Sequence, residues 1–68
     1  MKKFIEVVPA YGRTYKNQAE VKAAWKAGFD FCDTFTRQYV NREDAERQGL
    51  SVIVRYGDLS KGGKLVGV

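Results

Sequence analysis

Leu50-Ser51-Val52-Ile53-Val54-Arg55-Tyr56, the run LSVIVRY, decides how this chain folds. β-Branched and aromatic residues dominate it, and its pattern alternates. Val52, Val54 and Tyr56 share one face of an extended chain, and Ser51, Ile53 and Arg55 share the other. The run therefore predicts a strand with one face on a core. Downstream, KGGK (61–64) reads as a two-glycine hairpin turn, and KLVGV (64–68) returns as the last strand.

Upstream, Asn41 opens a short helix, REDAERQ, that Gly49 ends. Glu43 and Asp44 in its first turn suit the positive end of the helix dipole. Only Ala45 is apolar within it, so Val40 before the cap and Leu50 after the glycine are its expected anchors. Before it, FDFCDTF (29–35) predicts a half-buried strand. Phe29, Phe31 and Phe35 share parity there, although Asp33 has that parity too. The main helix begins at Asn17, with Glu20 placed to reach back to the Asn17 amide in a capping box. Val21, Ala24 and Trp25 form its buried stripe, and Gly28 stops it in a left-handed conformation. Lys22 and Lys26 lie on its solvent side. KKFIEVV (2–8) predicts an interior strand ended by Pro9, and PAYGRTYK (9–16) a loop with Gly12 at positive φ.

The element order is β-α-β-α-β-β. It predicts a small α+β domain spanning 1–68, with a mixed or antiparallel sheet and one main amphipathic helix packed on it. The Trp25 stripe is expected to meet the aromatic face of the sheet. At 68 residues there is room for one core only. Disulfides cannot staple it, because Cys32 is the single cysteine, and without histidine one thiol cannot complete a zinc set. Stability must come from the apolar core, helped by Trp25, four Phe and four Tyr, and by self-association if it occurs. No apolar run is long enough to span a bilayer, and Glu6 and Pro9 interrupt the only stretch that begins like a signal peptide. A cytoplasmic protein with a reduced thiol is the expectation.

Charge is uneven along the chain. The net +4 divides into +4 over residues 1–28, −2 over 29–50 and +2 over 51–68. If the terminal strands are neighbours, the basic ends meet and attract polyanions. The plainer reading is an ordinary soluble surface, since no run of like charge exceeds two residues.

GRTYKN (12–17) and TRQYVN (36–41) both contain Arg-x-Tyr-x-Asn. In each, the asparagine precedes a helix, the helix ends at a glycine, and an apolar residue leads into a strand. Duplication and coincidence both remain open. An arginine, a tyrosine and a helix N-terminus together favour an anion, so two phosphate-sized sites are one reading. In the other, the tyrosines pack under their loops and the arginines pair with carboxylates, with Asp33, Glu43 and Asp44 near Arg37. The first copy is the more basic, with Lys16, Lys22 and Lys26 around it and Tyr11 adding a ring.

Catalytic constellations are missing. With no histidine, the usual base near neutral pH is lacking. Cys32 has no partner to activate it and is flanked by Asp30 and Asp33. GDLSKGGK (57–64) lacks P-loop spacing and ends a hairpin instead of opening a helix. No cofactor or metal is expected, and the chain reads as a non-enzyme.

The segments VVPAYGRTYKN (7–17), AWKAGFDF (24–31) and YVNREDAERQGLSVIVRY (39–56) carry a resemblance. Over about residues 4–56 the chain resembles a group of small proteins encoded by bacterial viruses and prophages. The PAYGR-x-Y loop and the YVN…DAE…GLSV segment are its most specific parts. No activity is established for that group, so the resemblance implies only a context. That context is a viral accessory factor in a bacterial cytoplasm, working by binding a host protein or a nucleic acid.

Two functions follow as expectations. The first is a nucleic-acid-binding module. In it Arg13, Lys16, Lys22 and Lys26, with Arg37 and Arg55, contact phosphates, and Tyr11, Tyr15 and Tyr39 stack on bases. The second is a protein-binding factor or homodimer, built on an open sheet edge and surplus aromatics. A basic groove lined by tyrosine would mark the first, and an apolar patch with mixed charge the second.

Overall fold

The strand LSVIVRY lies near the middle of a five-stranded sheet in the computed structural model, which describes residues 3–68. The elements are β1 (Lys3–Pro9), α1 (Gln18–Lys26), β2 (Phe31–Asp33), β3 (Tyr39–Val40), α2 (Arg42–Gln48), β4 (Leu50–Tyr56) and β5 (Lys64–Gly67). In space the strands run β3-β2-β1-β4-β5. β1 is interior, parallel to β4 and antiparallel to β2, and the two outer pairs, β2 with β3 and β4 with β5, are antiparallel. The sheet is thus mixed and the domain is α+β. The Cα radius of gyration is 10.9 Å. A compact chain of this length has about that value.

Register decides which side chains meet. Val7 stands opposite Asp33 and Val54, and Val54 opposite Val66, so these share a face. Onto it fold Val21, Ala24 and Trp25 of α1 and Ala45 of α2. Trp25 packs against Phe31 with ring centroids 5.6 Å apart, the predicted meeting of helix and aromatic strand. Phe31, Val7, Val21 and Val54 are fully buried. Each such side chain contributes about 1.5–3 kcal/mol by leaving water. Val40 and Leu50 pack on this core from either end of α2, as the anchoring argument requires.

Both helices lie on this one face, so the opposite face is bare. Phe4, Glu6, Val8, Cys32, Tyr39, Ser51, Ile53, Arg55, Leu65 and Gly67 belong to it by register.

Several details depart from the sequence reading. The strand expected over 29–35 is only Phe31–Asp33. The buried Asp33 carboxylate accepts from the Phe35 and Thr36 amides, at 2.8 and 3.3 Å, and that turn ends the strand. Phe35 is consequently 93% exposed, not in the core. After the turn comes an unforeseen strand, β3, too short for a periodic signal. KGGK is not the whole hairpin turn. The link runs from Gly57 to Gly63, with a 3-10 turn at Leu59–Lys61 capped by the Asp58 side chain. Gly63 must be glycine: its φ is +64°, and a Cβ there would sit 2.7 Å from the Tyr56 carbonyl. Glu20 reaches back to the Lys16 amide at 2.6 Å, not to that of Asn17. The strands nearest the two termini, β1 and β5, are separated by β4.

No helix among the described residues is long and apolar enough to cross a membrane.

Candidate nucleic-acid interface

β1 and β4 are parallel neighbours, and the strands that follow them are added on opposite sides of the pair. The loops that follow β1 and β4 therefore leave the sheet at the same end and enclose hollows between them. A cavity of about 330 Å³ lies there, lined by Pro9, Arg13, Tyr15, Tyr56, Asp58 and Leu59 among others. A second groove, of about 400 Å³, shares Tyr56, Gly57 and Asp58 with it and adds Lys16, Lys61, Gly63 and Lys64. Arg13, Lys16, Lys61 and Lys64 are all exposed, and none forms an ion pair among the described residues. Asp58 is the one carboxylate lining either hollow. It is already occupied, accepting from the Ser60 amide at 3.1 Å and the Ser60 hydroxyl at 2.6 Å. Among the described residues, four cations line the two hollows against one carboxylate, a local positive excess bordered by Glu20 at the Lys16 amide and Asp30 at the Tyr11 hydroxyl.

The neighbouring loop adds rings. Tyr11 and Gly12 both have positive φ, at 59° and 69°. Glycine takes that conformation freely; tyrosine does so at a cost of about 1–2 kcal/mol. Two contacts hold Tyr11 there. Its hydroxyl donates to Asp30 Oδ2 at 3.2 Å, and its ring leans on Tyr39 with centroids 5.0 Å apart. Tyr11 and Tyr39 are 63% and 55% exposed, so both still present ring surface to solvent. Desolvation first, and then the hydrogen bond to Asp30, push the Tyr11 phenol above its ordinary range, keeping it a neutral donor. Arg13 lies over the Phe29 ring, 4.5 Å from its centroid, which holds the guanidinium beside this pair while leaving its edges available.

The nine residues singled out by sequence do not form one surface. Tyr11, Arg13, Lys16 and Tyr39 lie at the end just described. Lys22 and Lys26 are exposed on α1, in the helical layer. Arg37 sits in the turn between β2 and β3, at φ 62°, beside the start of β1 and thus at the far end of the sheet. Arg55 projects from the bare face and donates to Glu6 Oε1 at 3.0 Å and to the Gly62 carbonyl. Tyr15 is half-buried with its ring 5.9 Å from Phe31, so it packs under its loop and is less open to stacking than Tyr11 or Tyr39. Its hydroxyl is buried without a hydrogen-bond partner.

The two Arg-x-Tyr-x-Asn copies agree only at asparagine. Asn17 accepts from the Glu20 amide and Asn41 from the Asp44 amide, both at 2.9 Å. Their arginines occupy opposite ends of the sheet, and one tyrosine is packed where the other is exposed. The likeness is one of helix entries, not of binding sites.

The structure adds Lys61, Lys64 and Phe29 to this end of the sheet, none of which the sequence singles out for binding. The lysines had a signal, since they bracket the glycine pair, but only the pairing of β4 with β1 brings that turn beside Arg13 and Lys16. Among the described residues no group of three or more acidic, cysteine or histidine side chains could hold a metal ion. No family model, curated protein or solved structure matches the chain.

Proposed function

We propose that the protein binds single-stranded nucleic acid at the end of the sheet where β1 and β4 terminate. One observation carries this reading: Arg13 lines one, and Lys16, Lys61 and Lys64 the other, of two adjoining hollows that share a single carboxylate, Asp58. Phosphates of a strand would run along these cations. Bases would stack on Tyr11 and Tyr39, whose exposed, tilted pair adjoins Arg13. The strained backbone at Tyr11 supports the same reading, because strain tends to persist where a side chain must be displayed. The role is binding without turnover. The setting is the one implied by the resemblance to viral and prophage proteins, the cytoplasm of a bacterial cell.

Fluorescence anisotropy with a single-stranded oligonucleotide, across a salt titration, tests it. Four phosphate contacts predict a log–log slope of roughly −3, at about 0.7 per contact on a single strand. The double variant K61E/K64E should roughly halve that slope and weaken binding at least about tenfold at low salt. The double variant K22E/K26E changes net charge equally but lies on the outer side of α1, and should leave the slope near wild type. Equal losses from the two variants, or no binding at low salt, would overturn the proposal.

A further inference from the structure

The bare face of the sheet has a different chemistry and meets the basic end only at Tyr39, on the edge strand β3. Phe4 is 71% exposed and Leu65 51%, and Val8 and Ile53 lie partly open between them. Two charged side chains sit among these apolar groups, Glu6 on β1 and Arg55 on β4, joined at 3.0 Å and each about one-third exposed. This is an apolar patch with one acid and one base side by side at its centre.

We infer that this face is an isologous dimer interface, occupied by a second copy of the same chain. The charge arrangement singles out that partner. A two-fold axis passing between β1 and β4 places the Glu6 of each copy over the Arg55 of the other. The adjacent pair is thereby its own complement, and four charges alternate in sign around the axis. The surrounding apolar residues meet their equivalents as in any packing of sheet on sheet, about 10 Å apart. Area is consistent with this. Five strands spaced about 4.8 Å apart, with central strands of about 23 Å, present roughly 400 Å² of plane before side-chain relief is counted. Covering it on two copies removes on the order of 1,000 Å² of accessible surface, the lower bound for a specific interface. Helices already cover the other face, so this packing completes a sheet that the monomer leaves half wet.

Sedimentation velocity over about 1–300 µM tests the inference, with micromolar association expected of so small an interface. Wild type should pass from monomer to dimer in that range. E6R puts two bases on the face and R55E two acids, so each alone should remain monomeric. An equimolar mixture of the two should dimerise again, because one variant's bases then face the other's acids. Far-UV circular dichroism checks that each is folded. Phe4→Glu, at a side chain already exposed in the monomer, should abolish the dimer without disturbing the fold. Wild type monomeric throughout, a dimer indifferent to both charge reversals (as pairing through the β5 edge would be), or a mixture that fails to associate would each overturn the inference. Phe4 is at the start of β1, the opposite end from Arg13 and Lys16, so oligonucleotide binding measured on the Phe4→Glu variant separates this inference from the proposed nucleic-acid site.

Discussion

Tyr15 shows how one residue serves packing at a polar cost. Its ring fills the space between the β1–α1 loop and Phe31, but its hydroxyl is buried with no partner. An unsatisfied buried hydroxyl forfeits about 1–3 kcal/mol of lost hydration. Tyr15→Phe keeps the ring and removes that penalty, so it should stabilise the protein by about 1 kcal/mol in urea denaturation. A clear loss of stability would mean that the hydroxyl finds a partner in solution. The contrast with Tyr39 is instructive, because there the same residue type ends up exposed beside Tyr11. The residue after each tyrosine separates the two fates: Val40 packs on the core, so alternation along β3 turns Tyr39 outward, whereas Lys16 is exposed and Tyr15 packs inward.

At the scale of elements, the helices depend on their ends. α2 has seven residues, two turns, and buries only Ala45. A helix that short is marginal alone. Its surface pairs, Arg42 with Glu46 and Arg47 with Asp44, each add at most about 0.5 kcal/mol. Its boundaries are secured instead by the Asn41 cap and by Gly49 at φ 67°. Asn41 also donates to Asp30 Oδ1 at 3.4 Å, tying α2 to the segment that holds Tyr11. Asn17 caps α1 without such a tie. Asn17→Ala should therefore cost about 1 kcal/mol and Asn41→Ala about 2, measured by urea denaturation. Equal costs would show that the bridge to Asp30 adds nothing.

For the whole molecule, acid is the informative stress. Protonating all eight carboxylates carries the net charge from +4 to +12, and the folded chain then repels itself. Glu6 makes an identifiable part of this response. The hydrogen bond from Arg55 holds its carboxyl below the ordinary range against an opposing desolvation, with the Arg55 charge and a hydrogen bond from Thr34 helping. A carboxyl depressed by folding stabilises above its unfolded value, about 4.3, and that support is lost as pH falls through the lower folded value. Glu6→Gln should thus be less stable than wild type at pH 6, with the gap closing as pH falls toward 3, in urea denaturation across a pH series. A gap that stayed constant would assign the loss to shape instead of ionisation.

How much could be read along the chain depends on the range of the force involved. Both helices, their asparagine caps, their glycine stops, the Val21–Ala24–Trp25 stripe and the buried face of LSVIVRY rest on periodicity and on bonds spanning at most four residues, and all are present as read. Folding was needed to place what depends on distant partners. Glu6 meets Arg55 across 49 positions, and Lys61 and Lys64 reach the vicinity of Arg13 and Lys16 only because β4 aligns beside β1. β3 exists because β2 offers it an edge, and Asp33 ends β2 by turning its own carboxylate onto the next two amides. Local rules fix how a segment bends and which of its faces avoids water. Which faces avoid water together is a property of the assembled sheet, and both the basic end and the bare face arise at that level.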